Sequence, residues 1–286
     1  MAVSGGVDSM VLCHLLLESG FNFVVAYVDH NTRGNQSYED GQFVKQFAEQ
    51  NRLAFHLHTL RNIDQSGNFH NLAHKERYAF FESLDYDLIL TGHHYDDRVE
   101  TIIINFLNGR SVSTIPQTNG KIVRPLLLFK KEELVEYANS HEIAYREDSS
   151  NAENYYLRNY IRNEILPRLK SNLNKDLGLK LLSLAKRTDS DYDLLKSLIQ
   201  KSCPGIKTNN QVRWNLTTLL KYDSTYLYHL ISEYGFSRDL CHQIFDSLNK
   251  KGRQFYCSAY QCIIGCLLYT SPSPRDATLS RMPSSA

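Results

Sequence analysis

The stretch that decides the fold is Ala2-Val3-Ser4-Gly5-Gly6-Val7-Asp8-Ser9, close to the start of the chain. Short apolar residues lead into two adjacent glycines, and an apolar-periodic segment follows, which predicts a strand, a tight turn and a helix N-terminus. Glycine adopts backbone conformations that other residues avoid, and it leaves room for a ligand beside the main chain. The free amides and the dipole at a helix N-terminus favour a phosphate group. We therefore predict a phosphate-binding loop formed by Ser4, Gly5, Gly6, Val7, Asp8 and Ser9.

Asp8 indicates that this loop holds more than a bare anion. A carboxylate beside a phosphate is favourable when Mg²⁺ or a hydroxyl group lies there as well. The loop is not a Walker A motif, because no Gly-Lys-Ser or Gly-Lys-Thr follows at the required spacing. The alternative is a simple glycine turn in which Asp8 or Ser9 caps the helix.

Apolar runs and amphipathic segments alternate from this loop to about residue 148. Strands are predicted at 21–28, 53–60, 87–91 and 121–128, and helices at 9–19, 37–51, 69–84, 95–107 and 131–140. This alternation predicts an α/β fold with a doubly wound, mainly parallel sheet. Such a sheet binds ligands beyond the carboxyl ends of its strands, where the loop, Asp29-His30 and Gly92-His93-His94 would converge.

The chain after residue 148 lacks this alternation and is predicted to be helical at 157–168, 175–198 and 210–249. We predict a first domain of residues 1–185, a smaller helical domain of residues 186–265 and a non-native or disordered tail of residues 266–286. The tail turns abruptly to Ser, Pro and Arg, and it resembles translated sequencing-adapter read-through. Because only three residues precede the loop, we expect the native start of the first strand to lie upstream.

Composition limits the class of protein only in part. The 286 residues carry a formal net charge of +1, so whole-chain charge argues neither for nor against a nucleic-acid partner. Six cysteines without a CxxC pair indicate reduced thiols rather than a zinc ribbon or a disulfide scaffold. The sequence shows no signal peptide and no apolar run of membrane-spanning length. We therefore predict a cytoplasmic protein without a membrane partner, and the oligomeric state is not indicated.

A second cluster of chemistry-bearing residues follows the strand predicted at 87–91 and reads GHHYDDRVET, residues 92–101. Its candidate catalytic residues are His94, Asp96 and Asp97. Paired carboxylates can hold Mg²⁺ or take up a proton. The cluster is not a zinc site on sequence alone, because a separate third ligand is not evident. The alternative is that the acids favour the helix dipole and that His93 or His94 caps or packs.

A third cluster comprises Asn151, Arg158, Asn159 and Arg162 in a locally basic segment. Arg158 and Arg162 are four residues apart and share one helix face, so they could grip phosphates or a nucleotide backbone. The alternative is a solvated helix face.

Together these motifs resemble a known family. SGGVDS resembles the PP-loop signature of the ATP pyrophosphatases. The strings SGGVDS, VDHNTR, AHKERY, GHHYDDRVET, RPLL and DSSNAENYYLRNYIRNEILP stand in the order seen in the tRNA(Ile)-lysidine synthetases. The resemblance is dense from Ala2 to about Arg168 and weaker beyond it. It implies a PP-loop ATP-binding catalytic domain, a helical tRNA-recognition domain, ATP and Mg²⁺ as cofactors, and tRNA(Ile) with a CAU anticodon and free L-lysine as substrates.

The resemblance also implies roles for individual residues. ATP would be bound by the loop from Ser4 to Ser9 and by Asp29, His30, Arg33 and Gly92. The tRNA or its phosphates would be bound by Arg77, Asn151, Arg158, Asn159 and Arg162. Catalysis would involve Asp97, Asp96 and His94, and Mg²⁺ would be held by Asp8, Asp96 and Asp97.

The sequence departs from the family pattern in three places. Asn31-Thr32 stands where the family usually has Gly-Leu, His74 where it usually has Arg, and Arg98 where it often has Gln. The first two put nearby ATP or tRNA contacts in question. Two other functions are kept as alternatives: another PP-loop tRNA-modifying enzyme, and a nucleotide-binding sensor of related fold that binds ATP or AMP without chemistry.

Overall fold

The structure is a computed structural model that describes residues 1–29, 35–60, 69–146, 157–172, 176–208, 211–250, 252–257, 260–264 and 276–281. The chain forms two compact units, Met1–Lys186 and Arg187–Ala286. The boundary between them lies one residue from the predicted division after residue 185.

The first unit contains helices and strands in alternation. Its helices are α1 (Val7–Glu18), α2 (Asn35–Gln50), α3 (Phe69–Ser83), α4 (Tyr95–Leu107), α5 (Lys131–Ser140), α6 (Leu157–Tyr160), α7 (Leu166–Asn172) and the start of α8 (Leu177–Ser202). Its strands are β1 (Val25–Asp29), β2 (Phe55–Thr59), β3 (Ile89–Leu90), β4 (Thr118–Asn119) and β5 (Ile122–Val123). The bounds of α4 and α5 agree with the predicted segments.

Residues 1–3 link the two groups of strands of this unit into one mainly parallel sheet. β1 pairs in parallel with β2, and β3 pairs in parallel with β5, which also carries the antiparallel β4. Ala2 lies between these pairs: it bridges to Ala26 in parallel, and its amide donates to the carbonyl of Leu90 at 2.8 Å. The segment leading to the glycine loop therefore lies centrally, with the loop at the carboxyl end of the sheet.

Helices cover both faces of this sheet. The side chains of β1 point alternately to the two faces, so they pack against both helix layers. Val25 and Tyr27 pack with α1 and α2, whereas Ala26 and Val28 pack with Ala73 and Phe81 of α3. A strand buried on both faces is typical of a doubly wound parallel sheet. The predicted fold class is confirmed.

The helix predicted at 157–168 differs in detail from prediction. A π-helical turn, Ile161–Ile165, separates α6 from α7, and the amide of Leu166 donates to the carbonyl of Ile161. Proline has no amide to donate, and its ring clashes with the carbonyl four residues earlier, so a widened turn before Pro167 relieves the conflict. The helix then continues through Pro167 to Asn172 rather than ending there.

The second unit is helix-rich and also carries an antiparallel sheet that was not predicted. Its helices after α8 are α9 (Leu216–Leu219), α10 (Ser224–Ile231) and α11 (Arg238–Asp246). Its strands are β6 (Ile206–Thr208), β7 (Gln211–Asn215), β8 (Gln254–Tyr256), β9 (Tyr260–Ile264) and β10 (Asp276–Arg281), in the order β6-β7-β10-β9-β8. Trp214, Phe236 and Ile244 lie in its core. The strands are short and partly polar, which explains why hydrophobic periodicity did not reveal them.

One of these strands lies in the predicted tail. β10 pairs with β7 and β9, so residues 276–281 differ from the disordered alternative predicted for 266–286. The non-native alternative stays a prediction. Among the helices that the structure describes, none is long and apolar enough to span a membrane.

Candidate active site

A cavity of about 320 Å³ lies at the carboxyl end of the first unit's sheet. The glycine loop, the end of β1 and the residues after β3 surround it. Its lining includes Ser4, Asp8, Ser9, Arg77, Gly92, His93 and Asp97. The structure thus brings together the loop and the GHHYDD cluster, as the sheet topology predicted.

The loop offers its helix N-terminus without a side-chain cap. Gly6 is the N-cap residue of α1 and has no side-chain cap hydrogen bond, so neither Asp8 nor Ser9 caps the helix. Gly5 has a φ of +86°, a conformation that favours glycine. The hydroxyl of Ser9 donates to the carbonyl of Gly6 at 2.9 Å and accepts from the amide of Ser4 at 3.2 Å, which closes the turn. The arrangement suits a phosphate group at the end of α1.

Gly92 lies directly against this loop. A β-carbon added to it would lie 3.2 Å from both the carbonyl carbon of Asp8 and the amide nitrogen of Ser9. Only glycine at this position allows the chain after β3 to approach the loop so closely.

Asp8 forms an ion pair that sequence reasoning missed. The ammonium of Lys131 lies 2.8 Å from both carboxylate oxygens of Asp8. The backbone amide of Lys131, the first residue of α5, donates to the Oδ2 of Asp96 at 2.9 Å. Lys131 follows another lysine at the start of an ordinary amphipathic helix. The local sequence therefore did not indicate that Lys131 contacts the glycine loop.

His94 caps α4 and lies among three carboxylates. Its Nδ1 accepts from the amide of Asp96 at 3.2 Å, and its own amide donates to the Oδ2 of Asp97 at 2.9 Å. Its Nε2 lies 3.6 Å from Asp97 and 3.8 Å from Asp8. Burial acts to lower the pKa of His94, but the hydrogen bond with Asp96 and the charges of Asp97 and Asp8 raise it overall.

Asp97 belongs to a buried charge network. Burial acts to raise the pKa of Asp97, but the charge and amide of His94, together with His93 and Arg158, lower it overall. Arg162 donates to the Oδ1 of Asp97 at 3.3 Å and to Glu100 at 2.6 Å. Asp97 is therefore an ionised carboxylate held in a fixed position at the cavity.

Glu100 completes this network and was not among the predicted site residues. It is fully buried, and its carboxylate pairs with both Arg162 and Arg158. Its position, three residues after Asp97 on the same helix, was the available signal.

The predicted phosphate-binding arginines lie in different settings. Arg158 pairs with Glu100 at 3.2 Å and donates to Thr101 at 3.0 Å, so neither Arg158 nor Arg162 lies on a simple solvated face. Their side chains keep 43% and 34% exposure. Arg77 lines the cavity, and its buried Nε has no hydrogen-bond partner in the described part of the chain. Asn159 lies half-buried on α6.

Several predicted residues cannot be placed in the cavity. Asp29 ends β1, next to the cavity-lining Val28. His30, Arg33 and Asn151 lie outside the described residues, as do the departures Asn31 and Thr32. Of the other departures, His74 is exposed on α3, next to the ring of Tyr78.

The predicted Mg²⁺ ligands fit an ion only together with a substrate. Among the described residues, no group of three acidic, His or Cys side chains forms a metal site. Both oxygens of Asp97 accept hydrogen bonds, and those of Asp8 bind Lys131. Mg²⁺ is commonly held by one or two carboxylates plus substrate phosphates, and Asp8 offers one carboxylate at the cavity.

His93 provides a test of this electrostatic description. Burial lowers the pKa of His93 to about 4, Asp97 opposes the shift, and Arg124, Arg77 and Arg158 add to it. The unfolded imidazole titrates near 6.5, so between these values the unfolded chain binds a proton that the folded chain excludes. Stability is therefore lost as the pH falls through this window, by about 2 kcal/mol between pH 7 and pH 5.

Replacing His93 with Gln removes this contribution. Denaturant unfolding of both proteins at the two pH values measures it, because all other titrating groups are shared. The variant should lose about 2 kcal/mol less than the parent on acidification. An equal loss in both proteins would show that the imidazole is not held neutral.

A glycine loop at the carboxyl end of a doubly wound parallel sheet, facing buried carboxylates, defines a phosphate-binding α/β protein of the nucleotide-binding class. Comparison with known families agrees: residues 1–169 match the PP-loop domain. The chain belongs to this PP-loop family. Residues 207–265 match the TilS substrate binding domain.

Curated proteins similar to this chain carry one name. A tRNA(Ile)-lysidine synthase from Parabacteroides distasonis is 30% identical over 277 residues, which cover 92% of this chain and 63% of the relative. One from Staphylococcus aureus is 34% identical over 214 residues, which cover 68% of this chain and 49% of the relative. The chain thus spans about half to two thirds of the length of these relatives.

A solved structure supports the fold. The U34-tRNA thiolase NcsA from Methanococcus maripaludis superimposes with a TM-score of 0.51 at 17% identity, covering 66% of this chain and 70% of that one. At this identity the likeness concerns the fold alone.

Proposed function

We propose that the chain joins lysine to C2 of the wobble cytidine of tRNA(Ile) with a CAU anticodon, using ATP and releasing AMP and pyrophosphate. The observation that carries the proposal is the uncapped glycine loop facing Asp97 across one cavity. The PP-loop and TilS substrate binding domain matches and the names of the relatives support it. We also propose a cytoplasmic location, since the tRNA substrate is found there.

The first step is adenylation of the tRNA. The C2 oxygen of the cytidine attacks the α-phosphorus of ATP, and the bond to the bridging oxygen of pyrophosphate breaks. The amides and hydroxyls of the loop from Ser4 to Ser9 would bind the phosphates and stabilise the charge that develops there. Asp8 would hold Mg²⁺ against the phosphates, where the ion supplies positive charge to the leaving group. The assignment of Asp96 and Asp97 as further ligands stays a prediction.

In the second step the lysine ε-amine attacks C2. The bond between C2 and its oxygen breaks, and AMP leaves with that oxygen. The free amine has a pKa near 10.4, so its neutral form costs about 4–5 kcal/mol at pH 7. Asp97 would bind the ammonium and direct its proton away from the attacking nitrogen, since it is ionised and lines the cavity. His94 lies 3.6 Å from Asp97 and would relay that proton.

The contacts of the remaining predicted residues favour supporting roles. Asp96 accepts the amide of Lys131 at the start of α5, which favours positioning over catalysis. Arg158 is the more exposed of the two paired arginines and is the better candidate for a tRNA phosphate. His30, Arg33, Asn151 and Asn159 remain predicted ligands of ATP or tRNA.

The alternative of a tRNA thiolase has little support in the site. Such enzymes of this fold use cysteines near the ATP, and no cysteine lines the cavity among the described residues. Cys13 is buried in α1, and burial raises the pKa of its thiol to about 12. A buried thiol of this kind is a poor nucleophile.

Pyrophosphate release from ATP tests the proposal. It should require tRNA(Ile) with a CAU anticodon, and of the amino acids only lysine should enter the tRNA. ATP binding without tRNA-dependent release would instead favour the nucleotide sensor. Release that requires a sulfur donor would favour the thiolase.

A further inference from the structure

We propose that Lys131 is a phosphate-binding residue that changes partners when ATP binds: its ammonium leaves Asp8 and pairs with the β- or γ-phosphate. The inference rests on the proposed function for the identity of the nucleotide. The proposed cation lies on α5, a helix that is not part of any motif predicted to form the site.

The backbone of Lys131 is fixed by hydrogen bonds, whereas its ammonium is held only by the ion pair with Asp8. Its amide is fixed to the Oδ2 of Asp96 at 2.9 Å, and the amide of Tyr95 donates to the carbonyl of Phe129 at 2.8 Å, which ties the start of α4 to the start of α5. The side chain is 43% exposed, so the ammonium can swing on its flexible stem without disturbing these contacts. A fixed backbone and a flexible, partly exposed side chain suit a residue that exchanges ligands.

The charges around the loop explain why such a cation is needed. Three carboxylates, those of Asp8, Asp96 and Asp97, lie within 4 Å of the ring of His94. Asp8 and Asp97 line the cavity and would repel a triphosphate that enters it. Lys131 binds Asp8 directly, with its ammonium 2.8 Å from both carboxylate oxygens.

Arrival of ATP with Mg²⁺ changes the balance at both groups. The triphosphate offers the ammonium a more highly charged partner than a single carboxylate. Asp8, once released, is free to bind the metal ion. The exchange would place one positive charge on the leaving pyrophosphate and would also make metal binding to Asp8 depend on the nucleotide.

The neighbouring residue provides a matched control. Lys130 is the exposed N-cap residue of α5, and its amide donates to the carboxylate of Glu133 at 2.7 Å. It makes no contact with Asp8 among the hydrogen bonds and ion pairs of the described residues. Lys130→Met therefore removes an equal charge from the same turn without removing the proposed ligand.

The test compares Lys131→Met, Lys131→Arg and Lys130→Met in the full chain, without tRNA. Calorimetry measures the dissociation constants of ATP and AMP with Mg²⁺ present, and electron paramagnetic resonance measures Mn²⁺ binding without nucleotide. Lys131→Met should weaken ATP binding at least tenfold and change AMP binding less than about threefold, since AMP lacks the β- and γ-phosphates. The same variant should bind Mn²⁺ more tightly, because Asp8 has lost its partner.

Lys131→Arg should retain most of the ATP affinity, and Lys130→Met should behave like the parent. Unchanged ATP affinity in Lys131→Met, or equal losses for ATP and AMP, would overturn the inference and indicate a structural ion pair. The outcome is separable from that of the proposed function. A parent chain that binds ATP but does not modify tRNA would overturn the function alone, because the exchange is measured without tRNA.

Discussion

Asp97→Asn is expected to slow lysine incorporation into tRNA by at least about 100-fold while leaving ATP affinity within a few-fold of the parent. An asparagine can still accept the amide of His94, so the start of α4 should form normally. It removes the negative charge that would bind and orient the ε-ammonium. It also turns an amide donor or a neutral oxygen toward Arg162, which now donates to a carboxylate. Single-turnover incorporation of labelled lysine, with a separate ATP titration, measures both quantities.

Asp96→Asn is the matched control for this variant. The two residues are adjacent and the chemical change is the same, but Asp96 accepts the amide of Lys131, whereas Asp97 lines the cavity. We expect its effect on lysine incorporation to be below about tenfold, as for a lost supporting hydrogen bond. Equal losses in the two variants would argue against a direct role for Asp97 and would favour a collective electrostatic effect.

Gly92→Ala is expected to weaken ATP binding by at least about tenfold. The added methyl group would lie 3.2 Å from the backbone of both Asp8 and Ser9, and backbone atoms cannot move aside as a flexible side chain can. The phosphate loop must then shift by some tenths of an ångström, and amides aimed at phosphates lose alignment. ATP titration of the variant measures the effect.

Gly109→Ala separates this displacement from general destabilisation. Gly109 has a φ of +65° and no heavy atom within 4 Å of an added β-carbon. The alanine there should cost about 1 kcal/mol of stability through backbone strain, with ATP binding unchanged. If Gly92→Ala bound ATP like the parent, the contact between the chain after β3 and the loop would not matter for the nucleotide.

The local sequence pattern was sufficient to predict most helices and strands of the first unit. The bounds of α4 and α5 agree with prediction because both helices combine a clear apolar stripe with acids in the first turn. The same reasoning missed the sheet of the second unit. Its strands are only three to six residues long, so period-2 alternation is too brief to be recognised.

The sequence by itself determined the glycine loop, the alternation of strands and helices, and the presence of acids and histidines after β3. These features are local, since they depend on residue type and on spacing within one element. Tertiary structure alone decided which carboxylate faces the cavity, that Glu100 holds two arginines, and that Asp8 pairs with Lys131, 123 residues away. Such partners are chosen by the packing of α1, α4, α5 and the helical segment from Leu157 to Ile165, and no local periodicity carries that information.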